Sequence, residues 1–387
     1  MTELAAELGS AEYVLLTPSY PKPWRAGREF VRSRARAYQA AGLRGVVVES
    51  SLREGAQEQR GNDGDLPVWA IAPEAIPTAL EHAVAADIPV LVHSPEPTTI
   101  DALLAQVPGR RLAVWFHGYE VRDYRRLAAN HDSRELASIR TARDELNRSR
   151  AEATRKLFTD GEATVVFVSE FQRGLAAEDI GVPAAKARVI PNFIDGDTFR
   201  ARIRHPEEAT NLLLMRGFAV RNYGNDIAIR ALEVLADEPG FDELNITIRG
   251  SGALFGQTAA LGRLRNVAVE ERYLSPIEMA AAHQRAGVYL CPTRFDTQGV
   301  MLGEAMASGM VTITNPVAAI PEFTDESCSL LPRADDPWAF AGAIRHLLEH
   351  RDLMPELSAA AAERARQQCG HEATIGREID LIRELSA

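Results

Sequence analysis

The fold class this sequence predicts is α/β, with two Rossmann-like domains facing each other across a cleft. Three observations carry it. Short apolar runs alternate with helical segments along the chain, a pattern that predicts parallel sheets covered by helices on both faces. The series stops at a loop spanning 191–206 and then starts again. At 387 residues the chain is long enough for two such domains, and a single one would be unusually large. The expected division is 1–191 and 192–371, followed by a helical segment at 372–387 for which a return to the first domain is one placement.

In the first half, 13–16 reads as a strand, followed by a loop with Pro18, Pro21 and Pro23. Residues 29–41 have helical character and stop at Gly42, a residue that ends helices at no steric cost. The runs 45–49, 68–71, 89–92 and 112–116 are continuously apolar, as strands buried on both faces must be, with a helical segment at 76–85 among them. The segment 133–157 is a long, highly charged helix with little apolar face, so solvent is its expected surrounding. Strands at 165–169 and 188–190 close the half. The second half repeats the alternation, with strands at 212–215, 244–249, 267–270, 287–291, 311–314 and 329–331. Its helices are expected at 228–236, 276–286, 337–350 and 353–368.

Composition narrows the function. A hydrophobic content of 46% with 25% charged residues is that of a globular protein, and a net charge of −11 argues against a general nucleic-acid binder. Cys291, Cys328 and Cys369 are scattered and have no zinc spacing, and the first ten residues lack an apolar signal core. A cytoplasmic enzyme is the expectation. Arg28, Arg32 and Arg36 share one helical face near Arg25 and could meet an anionic acceptor or a membrane surface, though a solvated basic face is the plainer reading.

The most informative stretch runs from Thr293 to Gly309. A strand leads into a loop carrying Asp296, Gly299 opens a helix, and another strand follows, the arrangement in which α/β proteins hold a phosphate. Met301, Leu302, Ala305 and Met306 form the core face of that helix. Gly299, Val300, Gly303, Glu304 and Ala307 form the other, where a carboxylate can take a pair of sugar hydroxyls. Arg216 and Arg221 follow the first strand of the second half, at the ligand side of such a sheet, and two arginines there can neutralise a diphosphate. His93 and His117 each end an apolar strand of the first half, and Gly118 leaves room beside His117.

Three motifs are decoys. Gly250, Gly252 and Gly256 resemble a dinucleotide fingerprint, but the third glycine is one residue late, so a tight ligand-facing turn is expected. Asp195-Gly196-Asp197 reads as a turn, and His346 to His350 as the polar end of a helix with no third zinc ligand in view.

Together these residues resemble the retaining glycosyltransferases of family 4, which have the GT-B fold. The likeness covers most of the chain and is strongest from Leu212 to Phe323. The family signature, two glutamates separated by seven residues with the second opening Glu-Ala-Met-Ala-x-Gly, reads here Asp296-x7-Glu304-Ala305-Met306-Ala307-Ser308-Gly309, followed by Ala319-Ile320-Pro321-Glu322. Ile190-Pro191-Asn192-Phe193-Ile194-Asp195, Val168-Ser169-Glu170 and Arg249-Gly250-Ser251-Gly252 resemble further family elements. The chain departs from the pattern in Asp296, one methylene shorter than glutamate, and in Arg221 at the place of a lysine. It departs again in a proline-rich segment, 17–24, where the family has a glycine-rich loop. The sequence Asp-Thr-Gln-Gly-Val looks like a bacterial branch associated with surface polysaccharide assembly.

The resemblance implies a nucleoside-diphosphate sugar as donor, a glycan or small-molecule hydroxyl as acceptor, and neither metal nor cofactor. Arg216 and Arg221 would hold the diphosphate. Gln298 and the amides of Gly299, Val300 and Met301, with the Gly250 and Gly252 turn, would line the donor site. Asp296 would contact the transferred sugar, Glu304 the ribose, and His117 the sugar or the acceptor. Peripheral contact with an inner membrane face and the oligomeric state stay open. The alternative is a catalytically silent GT-B subunit that binds sugar nucleotides, and a Rossmann oxidoreductase would rest on Gly250 to Gly256 alone.

Overall fold

The computed structural model describes residues 1–21, 28–160, 162–184 and 187–387. Pro23, Trp24 and Arg25 lie outside the described residues. The chain divides into two compact units: Met1–Arg126 with Ser133–Phe193 and Glu372–Ala387, and Leu127–Asp132 with Ile194–His371. The first unit thus runs to Phe193 rather than Pro191, and it includes the last segment.

The first unit has an eight-stranded sheet: β1 (Tyr13–Thr17), β2 (Gly45–Glu49), β3 (Gln59–Asp63), β4 (Leu66–Ala70), β5 (Val90–His93), β6 (Leu112–Phe116), β7 (Thr164–Phe167) and β8 (Arg188–Val189). Their order is β3-β4-β2-β1-β5-β6-β7-β8, and every pairing is parallel except β3 with β4. Strand β3 escapes a sequence reading because Gln-Arg-Gly-Asn-Asp has no apolar alternation. It is an exposed edge whose charges discourage pairing with other chains.

Successive side chains of these strands point to opposite faces. Val14, Leu16, Val90, Val92, Val114 and Phe116 pack on one face with Leu4, Leu80, Leu103 and Leu157. Tyr13, Leu15, Leu91 and Trp115 pack on the other with Val31 and Tyr38, and with Ile379, Ile382 and Leu385 of helix Arg377–Ser386. That helix is joined to its neighbour by buried polar contacts, since Glu378 accepts from Arg34 Nε at 2.9 Å and from the Tyr38 hydroxyl at 2.5 Å. Helix Ser133–Asp160 is solvent-facing over much of its length, and none of its residues before Ala153 is buried.

The second unit holds a six-stranded sheet: β9 (Asn211–Met215), β10 (Asn245–Gly250), β11 (Val267–Glu271), β12 (Val288–Leu290), β13 (Val311–Ile313) and β14 (Ser329–Leu330). All its pairings are parallel, in the order β11-β10-β9-β12-β13-β14. The chain therefore winds outward from β9 in one direction and from β12 in the other, and the two loops that leave these neighbouring strands diverge. That switch point is where open α/β sheets leave a crevice. Among the described residues, no helix is long and apolar enough to cross a membrane.

Candidate functional site

The loops after β9 and β12 in the second unit bring Arg216 to Asp296. Arg216, only 5% exposed, donates from Nη1 to the Pro292 carbonyl at 3.0 Å and to Cys291 Sγ at 3.2 Å, and from Nη2 to Asp296 Oδ2 at 3.1 Å. Its guanidinium lies 4.6 Å from the centre of the Tyr223 ring. Burial opposes the charge, but Cys291 and Asp296 more than offset it, so Arg216 stays cationic with its pKa above the ordinary value. Its Nε is buried with no partner among the described residues. A fixed positive charge is thus held at the carboxyl end of a central strand.

Asp296 uses its other oxygen on the helix that follows. Oδ1 accepts from the Gly299 amide at 2.9 Å and the Gln298 amide at 3.3 Å. Gly299 has φ 83°, a conformation that costs other residues, and a Cβ there would sit 3.0 Å from Ile320 Cδ1. The intrahelical ladder of Val300–Ala307 begins when Gly303 N–H meets the Gly299 carbonyl at 3.0 Å. The amides of Val300, Met301 and Leu302 therefore precede the ladder and give the helix start its partial positive charge. The Gly299 amide belongs with Asp296 instead, which corrects its expected place among the phosphate-facing donors. Leu302, Ala305 and Met306 are buried, while Val300, Gly303, Glu304 and Ala307 are only partly so, as two faces of one helix require. Gln298 is buried, with Nε2 3.5 Å from Cys369 Sγ.

The two loops are stitched together by residues that the sequence reading passed over. Arg294 pairs with Asp226 through both Nη atoms at 2.8 Å, meets Asp335 at 2.6 Å, and donates to the Arg221 carbonyl at 2.8 Å. Thr293 donates from its hydroxyl to the Asn222 carbonyl at 3.0 Å, and it exchanges two hydrogen bonds of 2.8 and 2.6 Å with Asn315 of the loop after β13. Arg294 had the signal that singled out Arg216, an arginine just past a strand, yet its partners come from distant segments. The Arg221 side chain is exposed, and its backbone carbonyl is what joins this network.

Gly250 and Gly252 have φ 155° and 140° and form the tight turn that their spacing suggests. What they meet is protein. A Cβ on Gly250 would fall on the Arg216 carbonyl, and one on Gly252 would lie 2.5 Å from Ala219 N. Phe218 donates to Ser251 and Leu254 donates to Phe218, each at 2.9 Å, so the turn braces the loop that carries Arg216. Gly256 falls in the 3-10 helix Phe255–Ala259, and no α-helix opens at the glycines as a dinucleotide fingerprint needs. Gly252→Ala is expected to lower unfolding free energy by at least about 2 kcal/mol, from a strained φ and the clash together. An unchanged urea midpoint would contradict that bracing.

Asp195 accepts from the Asp197 amide at 3.0 Å and the Thr198 hydroxyl at 2.6 Å, an Asx turn. His346 and His350 are exposed, with ring centres 4.4 Å apart, and among the described residues no group of three metal-ligating side chains is placed to hold an ion.

In the first unit, His93 ends β5 and His117 follows β6, with His93 Nδ1 3.0 Å from His117 Nε2. The amides of His117 and Gly118 both donate to buried Glu120, at 3.1 and 2.7 Å, which fixes the turn. Burial first, then the charges of Arg34 and Arg28, hold both imidazoles well below the ordinary histidine pKa, so both are neutral near neutral pH. The basic face of helix Glu29–Ala40 is largely compensated, since Arg32 and Arg36 both pair with Asp63. Arg28 donates to Ser19 Oγ at 2.6 Å.

Comparison with known proteins places these features. Residues 210–350 match the family profile described as glycosyl transferases group 1. The D-inositol 3-phosphate glycosyltransferase of Streptomyces coelicolor is 27% identical over 177 residues, 43% of this chain and 38% of that protein. The protein of the same description from Corynebacterium aurimucosum is 28% identical over 152 residues, 37% of this chain and 36% of its own length. The matched stretch is thus well under two thirds of either relative. Among solved structures, sucrose-phosphate synthase from Thermosynechococcus elongatus has a TM-score of 0.72 at 18% identity, covering 97% of this chain and 99% of that one. Anabaena HepE in complex with UDP and glucose has a TM-score of 0.68 at 13% identity, covering 95% of this chain and 98% of that one. The fold is that of the GT-B glycosyltransferases, two α/β units, one built on a sheet parallel but for its β3 edge and the other on a wholly parallel sheet.

Proposed function

We propose that the protein is a retaining glycosyltransferase that moves a sugar from a nucleoside-diphosphate sugar to an acceptor hydroxyl without a metal. The observation that carries this reading is the pair of buried Arg216 and half-buried Asp296 beside the start of helix Val300–Ala307, at the switch point of the second sheet. A leaving nucleoside diphosphate gains negative charge as its bond to the sugar breaks. A cation already desolvated and held in place stabilises that charge with little reorganisation. Arg216 and the amides of Val300 and Met301 take this role, and exposed Arg221 adds a mobile charge at the outer phosphate. Glu304, one turn into the helix, accepts from the ribose hydroxyls. Asp296 holds Arg216 and the helix start in register. The acceptor oxygen bonds to the anomeric carbon on the face the diphosphate leaves, and its proton passes to the departing phosphate oxygen. His117 keeps the role that the resemblance gives it, contact with the sugar or the acceptor.

The group 1 match over 210–350 supports the donor half of this reading, because it spans both loops of the site. The donor is found by measuring nucleoside-diphosphate release from uridine, guanosine, adenosine and thymidine sugars, with and without chelator. Acceptors begin with D-inositol 3-phosphate, the substrate that the curated relatives' names give. Release that is unchanged by chelator is expected for one donor class, and release abolished by chelator and restored by a divalent ion would remove metal independence. Glu304→Ala is expected to weaken nucleoside-diphosphate binding about 10- to 100-fold, the loss of charge-assisted bonds to two hydroxyls. Undiminished binding in calorimetry would remove the ribose assignment. Nucleotide binding with no turnover of any donor and acceptor would favour the silent binding subunit.

A further inference from the structure

The exposed Arg221 side chain leaves from a short turn, and the way that turn is held decides where the side chain starts. Arg221–Tyr223 is a 3-10 helix of three residues, closed by the Gly224 N–H on the Arg221 carbonyl at 3.0 Å. A turn this short returns little hydrogen-bond energy against the entropy of ordering it, so its placement depends on contacts from outside.

The loop after β12 supplies one set. Arg294 Nη1 donates to the Arg221 carbonyl at 2.8 Å, and the Arg294 amide donates to the Asn222 carbonyl at 2.8 Å. The Thr293 hydroxyl adds a second bond to the Asn222 carbonyl, and Asn222 Nδ2 donates to the Phe295 carbonyl at 3.3 Å. These bonds leave the Asn222 backbone N–H unused. It donates to Asn130 Oδ1 at 2.6 Å. Asn130 comes from Leu127–Asp132, the short segment encoded between β6 and helix Ser133–Asp160 that belongs with the second unit. Its own backbone is turned there by the His131 N–H on the Ala128 carbonyl at 3.0 Å.

The Arg221 carbonyl and the Asn222 N–H belong to the same peptide unit, which is planar and includes the Arg221 Cα. Arg294 holds one edge of that plane and Asn130 the other, so the plane cannot turn without breaking one of the two bonds. A backbone N–H only donates, so Asn130 must present its carboxamide oxygen. We infer that Asn130 is a positioning residue of the donor site, holding the Arg221–Asn222 peptide so that the Arg221 side chain starts from one fixed direction. Fixing the base of a long side chain lowers the ordering cost that a bound diphosphate must meet. The donor role of Arg221 rests on the glycosyltransferase reading, whereas the clamp on its peptide stands without it.

Hydrogen exchange at the Asn222 amide of the full chain, read at single-residue level by mass spectrometry, tests the clamp with no ligand present. Asn130→Ala is expected to speed that exchange about tenfold, the loss of one hydrogen bond. Asn130→Asp keeps an acceptor oxygen and should bring the rate back to within about threefold of the unaltered protein. Exchange unmoved in Asn130→Ala, or as fast in Asn130→Asp as in Asn130→Ala, overturns the contact. Donor kinetics test what the clamp does. Asn130→Ala should raise the donor KM about threefold with kcat within about twofold, because the loss is one of preorganisation. The same change made in Arg221→Ala should raise it no further, since the group being positioned is gone. A KM that does not move, or a rise that persists in the double variant, overturns the positioning of Arg221. Failure of the glycosyltransferase reading looks different: the unaltered protein turns over no donor, which removes the donor role, while the Asn222 amide still responds to Asn130.

Discussion

Arg216→Ala is expected to lower kcat for donor consumption about 100- to 1000-fold, the magnitude seen when one preorganised donor to a developing charge is removed. The donor KM should move much less, because the full charge on the departing diphosphate exists only near the transition state. The physical reason lies in how the side chain is held. The three hydrogen-bond partners of its side chain, Cys291, Pro292 and Asp296, all come from the loop after β12, while the residue itself follows β9. The cation is thereby fixed before any ligand arrives. Arg216→Lys should recover only part of the loss, since a single ammonium cannot serve those partners and a phosphate together. Arg221→Ala should cost less, because its exposed side chain must be ordered by the ligand. Steady-state nucleoside-diphosphate release separates these cases, and turnover of Arg216→Ala near that of the unaltered protein would end the leaving-group assignment.

The parallel strands were legible because a strand buried on both faces is a continuous apolar run, and β1, β2, β5, β6 and β9 are such runs. Strand β3 was not, since a polar edge strand looks like a loop until its partner is known. The helix start at Gly299 was legible for a local reason, a glycine between a strand and an apolar helical stripe. What surrounds the site was less so. Gly250 and Gly252 have the spelling of a ligand turn, but only the fold shows that their missing side chains make room for the Arg216 loop. Arg294 has only its place after a strand, and Arg34 carries no local mark that separates it from surface arginines. Their roles come from Asp226 and Asp335 in one case and Asn192 and Glu378 in the other, partners that only tertiary packing assembles.

Asp296 is the residue whose expected role moves furthest, and its variants separate two accounts of the site. As a sugar ligand, its substitution would lower turnover and leave stability nearly untouched. The observed contacts imply something else: one oxygen fixes the turn before the helix through the Gly299 amide at 2.9 Å, and the other neutralises Arg216 at 3.1 Å. Asp296→Ala removes both. Losing the hydrogen bond to the Gly299 amide costs about 1 kcal/mol, and leaving a buried arginine without its counter-charge costs about 3–5 kcal/mol, the lower end applying because Asp296 is 21% exposed. Asp296→Asn retains an oxygen for the Gly299 amide and loses only the charge, so its unfolding free energy should fall by less. Asp296→Glu restores the signature residue of the resembling family, but its longer stem cannot reach Gly299 and Arg216 in the same geometry, so it should weaken the helix start rather than improve transfer. Urea unfolding and donor turnover on the three variants give the answer. A graded loss of stability, Ala greater than Asn, identifies the carboxylate as the strut between cation and helix. Equal stability with turnover abolished in both would return it to the sugar. The shorter side chain then has a physical meaning: with one methylene fewer, a single carboxylate can turn back onto its own helix start while still facing Arg216.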